Sequence, residues 1–174
     1  MKRFLATAVC VLLVVFTCSC GQSVSTPSQP ETDDGVNVGV VNPLRSLENA
    51  QQLADEGYYI DAPEGATDVS YTVISNQIGQ VSFTLDGLTY TLRCSNELTD
   101  FHGVYADFDE AEVFNTESAD ISVGTISGGN EGALALWTSG DTSFSLYTGD
   151  AVTAQTIAAV AGTVAADSAA HYAG

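Results

Sequence analysis

Val81-Ser82-Phe83-Thr84-Leu85-Asp86-Gly87-Leu88-Thr89-Tyr90-Thr91-Leu92 sets the architecture of the chain. Apolar and polar residues alternate on both sides of Asp86-Gly87, the period of a strand with one buried face. Asp-Gly is a preferred pair for a two-residue type I′ turn, because both central positions need positive φ. Folding the chain there places Leu85 opposite Leu88, Phe83 opposite Tyr90 and Val81 opposite Leu92. The apolar side chains then share one face, and Ser82, Thr84, Thr89 and Thr91 share the other. A slip of one residue would turn every apolar group to the wrong side. An antiparallel hairpin with one face on a core is expected.

Downstream, residues 121–126 and 133–137 suggest strands joined across Gly128-Gly129-Asn130. Residues 142–148 alternate Phe144 and Leu146 with serines and return after the Ser139-Gly140-Asp141 turn. Residues 153–166 place Ile157, Val160, Ala161 and Val164 on one helical stripe. Upstream, residues 69–75 read as a strand, and 58–60 as a short one ended by Pro63. Residues 47–56 read as a helix capped by Ser46 and stopped by Gly57, with Leu47, Ala50, Leu53 and Ala54 on one face. Residues 95–120 read as a polar, acidic loop. The expected fold is α+β: an antiparallel sheet of about five to seven strands, with an N-terminal and a C-terminal helix packed on it. It forms a single domain over 42–168, followed by a tail, 169–174.

The beginning of the chain has a different character. Lys2 and Arg3 precede an apolar run, residues 4–16, and then Thr17-Cys18-Ser19-Cys20-Gly21. Two basic residues and about a dozen apolar ones match a secretory signal. The run is shorter than the ~20 residues a membrane-spanning helix requires. The small residues leading to Cys20 resemble a lipobox, in which the cysteine becomes the lipidated first residue. Ser19 at −1 and Gly21 at +1 favour Cys20 over Cys18, and Cys10 leaves too short an apolar region. Thr17 stands at −3, where such signals usually carry Leu. Residues 1–19 are therefore expected to be a signal peptide. Residues 20–41, mostly Ser, Thr, Pro, Gln, Asp and Gly, are expected to be the lipidated cysteine and a disordered tether. A tether of this length spans roughly 25 Å.

Removal of residues 1–19 leaves Arg45 and Arg93 against 22 acidic residues, a net charge of −20 with no lysine. A body so acidic is repelled by nucleic acid and by anionic lipid. Contact with a membrane is expected through the lipid on Cys20, and the possible partners are an envelope protein, a peptide or a glycan. With Cys20 lipidated, Cys94 is the one thiol left and has no cysteine to pair with. Cleavage before Cys18 would instead let Cys20 and Cys94 pair.

Several short pieces resemble a known family. Asn42-Pro43, Ser46-Leu47-Glu48 with Ala50, and Gly57-Tyr58 with Pro63 resemble the opening of the bacterial domain-of-unknown-function family numbered 4367. Tyr90-Thr91-Leu92-Arg93 resembles its tyrosine-to-arginine strand. Asp100-Phe101-His102-Gly103-Val104-Tyr105 resembles its Asp-x-x-Gly-x-Tyr segment, with Phe101-His102 where the family usually has Ile-Ser. Trp137 with Gly140 and Phe144-Ser145-Leu146 resembles its closing hairpin. The resemblance implies small exported or lipid-anchored domains and brings no reaction.

Candidate chemistry is sparse. His102 with Asp100 and a serine would make a hydrolytic triad, but no Gly-x-Ser-x-Gly elbow occurs. Cys94 with His102 would make a thiol nucleophile and its base. His171 falls in the tail. Zinc lacks any ligand pair at Cys-x-x-Cys or His-x-x-x-His spacing, and no cofactor is implied. Asp107, Asp109, Glu110 and Glu112 supply dense oxygen ligands of the kind calcium takes, without the Gly and Glu of an EF-hand loop; a solvated acidic loop is the plainer reading. Arg93, one cation among many acids, is expected to pair with a carboxylate of the 95–112 segment, Asp100 first. The exposed tyrosines and Trp137 suit a glycan or peptide platform, although their periodic positions suit a core better. The expected function is non-catalytic binding or sensing at the cell envelope. A surface hydrolase or a calcium-dependent adhesion or stabilising module is the alternative.

Overall fold

A computed structural model describes residues 43–128 and 131–172. The expected signal peptide, Cys20 and the tether lie outside the described residues. The elements in chain order are β1 (Leu44–Leu47), α1 (Ala50–Asp55), β2 (Thr67–Ile74), β3 (Ile78–Leu85), β4 (Leu88–Ser95), β5 (Glu112–Asn115), β6 (Asp120–Thr125), β7 (Ala133–Ser139), β8 (Thr142–Thr148) and α2 (Ala154–Tyr172). The fold is α+β, an open antiparallel sheet of eight strands with a C-terminal helix, in the order β1-β2-β3-β4-β8-β7-β6-β5. Two four-stranded meanders thus meet along β4 and β8.

The Asp86-Gly87 turn forms as the sequence dictates, with φ of 52° and 79°. Its register is Leu85 to Leu88, Phe83 to Tyr90 and Val81 to Leu92. The Leu92 row then continues through Leu146, Ala135 and Val123 across the sheet. These residues are almost wholly buried. Ile157, Ala158, Ala161, Val164 and Ala165 of α2 complete the core with them. Burying one large apolar side chain is worth roughly 1.5–3 kcal/mol, against about 0–1 for a surface ion pair. The row and the helix stripe, not the charges, therefore hold the sheet and α2 together.

The structure departs from the pattern expected from sequence in four places. The sheet has eight strands because Leu44–Leu47 and Glu112–Asn115 are edge strands. The N-terminal helix expected over 47–56 is not found in that form: six residues, Ala50–Asp55, are helical, and the cap is Asn49. Asn49 Oδ1 accepts the Gln52 N–H at 3.0 Å, a bond that Ser46, inside β1, is not placed to make. Residues 58–60 are not a strand, although Tyr58 and Ile60 are buried in the core. Most of the expected tail is the last turn of α2, whose Tyr172 ring meets Phe144 edge-on at 5.1 Å.

The second face of the sheet carries the row Gln80, Arg93, Ser145, Leu136 and Ser122. Residues 96–111 connect central β4 to edge strand β5 and lie against this face. Phe101 is buried, Phe108 packs over Gly124 and forms an isolated bridge with Ile126.

Candidate functional site

Arg93 projects from β4 onto the second face. Its Nε donates to Gln80 Oε1 at 2.8 Å. Its Nη1 donates to the carbonyls of Phe101 at 3.1 Å and His102 at 2.7 Å. Gly103 makes this approach possible: its φ is +68°, and a Cβ there would collide with Arg93 Nη1. Burial pulls the guanidinium below its usual pKa, and Tyr105 acts in the opposite direction. The expected pair with Asp100 is not formed. Among the described residues no carboxylate lies within ion-pair distance of Arg93, whereas Arg45 meets Glu56 at 2.8 Å. Arg93 does tie the acidic loop to the sheet, but through main-chain dipoles.

Asp100 stands instead beside His102, with Oδ1 3.5 Å from Nε2, and is 83% exposed. His102 Nδ1 accepts the Val104 N–H at 3.1 Å. Among the described residues no serine hydroxyl is bonded to His102, so a triad does not assemble there. Cys94 follows Arg93 on β4 and therefore points to the opposite face. It is fully buried, 3.9 Å from the Tyr172 hydroxyl, and burial pushes its thiol up to about 12. Such a thiol is an inert part of the core, not a nucleophile paired with His102.

The acidic cluster does not converge either. Among the described residues no group of three or more potential ligands is arranged to hold a metal ion. Asp109 accepts from Thr125 Oγ1 at 3.1 Å and Ser127 Oγ at 2.8 Å, which fixes it to the end of β6. Glu112 lies in β5. Trp137 is core, stacked on Phe144 at 5.3 Å.

No sequence motif marks a groove of about 330 Å³ on the α2 side of the molecule. Ala50 and Ala54 of α1, Ile60 and Ala62 of the following segment, and Val164 of α2 make its apolar surface. Asp61, Asp167, Ser168 and His171 add polar groups. Small residues on α1 open the space, and the 59–62 segment fixes its shape. The Tyr59 ring stacks on His171, centroids 4.9 Å apart and planes within 3°, and the Tyr59 N–H donates to the Tyr172 hydroxyl at 2.7 Å. Asp61 Oδ1 accepts from the Tyr71 hydroxyl at 2.6 Å and the Ala62 N–H at 2.7 Å. Burial, and then this bond, push the Tyr71 phenol up to about 12. Asp61 Oδ2 and the Asp167 carboxylate have no hydrogen-bond partner among the described residues. Asp167 also borders a second groove, of about 690 Å³, between α2 and the 114–118 turn. Sequence separation hid the site, since Tyr59 and His171 approach only when α2 runs to its full length.

No family model, no curated protein and no solved structure matches the chain.

Proposed function

We propose that the chain is a lipid-anchored domain facing outside the cytoplasm, which binds a ligand at the cell envelope without transforming it. The anchoring part rests on one sequence observation: the apolar run of residues 4–16 ends in Ser19-Cys20-Gly21 behind two basic residues. The lipid on Cys20 supplies the membrane affinity that a net charge of −20 denies the protein surface. The resemblance to the family numbered 4367 agrees with such an address.

The binding part is supported by the groove beside Tyr59 and His171. It combines an apolar floor with a few polar groups, the usual make-up of a small-ligand site. Metabolic labelling with a palmitate analogue tests the anchor. The wild type takes the label, and Cys20→Ala loses it and accumulates as precursor. Equal labelling of Cys20→Ala refutes the assignment.

A further inference from the structure

We draw no further inference here: the strongest candidate, the stripe of small uncharged residues on α2 (Ala158, Ala159, Gly162, Thr163 and Ala166) that lines the groove beside the 114–118 turn, carries nothing, because nothing in the structure shows what covers it.

Discussion

Arg93 and the groove acids both carry charge without an ion-pair partner among the described residues, and they differ in how it is answered. On the second face of the sheet, the Arg93 guanidinium is met by Gln80 and the carbonyls of Phe101 and His102. Nε and Nη1 find their acceptors within the fold, and Gly103 lets the loop backbone come this close. At the groove, Asp61 and Asp167 are exposed, and Ser168 and His171 line the same concavity. The first arrangement ties the loop to the sheet and stabilises the fold. The second is open to water, which solvates its exposed carboxylates. Net charge alone does not separate them, since both sit in the same strongly acidic body. What separates them is whether oriented dipoles of the fold already fill the hydrogen-bonding positions.

The largest expected effect tests the sealed side of the sheet against both. Cys94 has its pKa raised from 9.0 to about 12 by burial. Its stabilising contribution is whole below pH 9 and is lost as the pH climbs toward 12, because the unfolded thiol ionises first. The loss is about 1.4 kcal/mol per pH unit, on the order of 3 kcal/mol by pH 11. Denaturant midpoints measured from pH 8 to 11 should fall from pH 9 in the wild type. In Cys94→Ala they should hold until the tyrosines begin to ionise; identical curves would mean that the thiol is not sealed.

Arg93→Met keeps the aliphatic stem and leaves the loop carbonyls without their donor. Stability should fall by about 2–3 kcal/mol, the usual cost of losing charged hydrogen bonds at a part-buried site. A loss below about 0.5 kcal/mol would mean that the tie carries no load. Gly103→Ala should cost about 1–2 kcal/mol, from positive φ and the displaced guanidinium. In the Arg93→Met background the clash vanishes, so a double-mutant cycle should return a coupling between the two sites. Strict additivity would contradict the close approach. Asp167→Asn, with no partner to lose, should change stability by no more than about 0.5 kcal/mol.

The central hairpin was legible because local chemistry and global pattern agree there: Asp86-Gly87 demands the turn, and its flanks alternate in register. The core stripe of α2 was legible for the same reason. The edge strands were not. Glu112–Asn115 sends one large apolar residue inward, Phe114, and its charged neighbours read as loop. Leu44–Leu47 has mostly exposed residues, and Ser46-Leu47 imitates a helix start. The end of α2 was misread because Asp167, Ser168 and His171 interrupt the apolar stripe, and Tyr172 is held by tertiary contacts with Phe144 and Cys94. Arg93 was identified from charge arithmetic as the tie to the acidic loop. Its partners were not, because counting charges favours carboxylates, while Gly103 brings main-chain carbonyls closer. The groove left no mark in the sequence, because it is shaped by alanines that are unremarkable singly.

Arg93 is structural and Asp167 is not, and one paired measurement separates those roles. Stability is determined on the full chain for Arg93→Met and for Asp167→Asn. Arg93→Met is expected to lose about 2–3 kcal/mol, while Asp167→Asn stays within about 0.5 kcal/mol of the wild type. The reverse pattern, with Arg93→Met as stable as the wild type and Asp167→Asn destabilising the fold, would contradict that division.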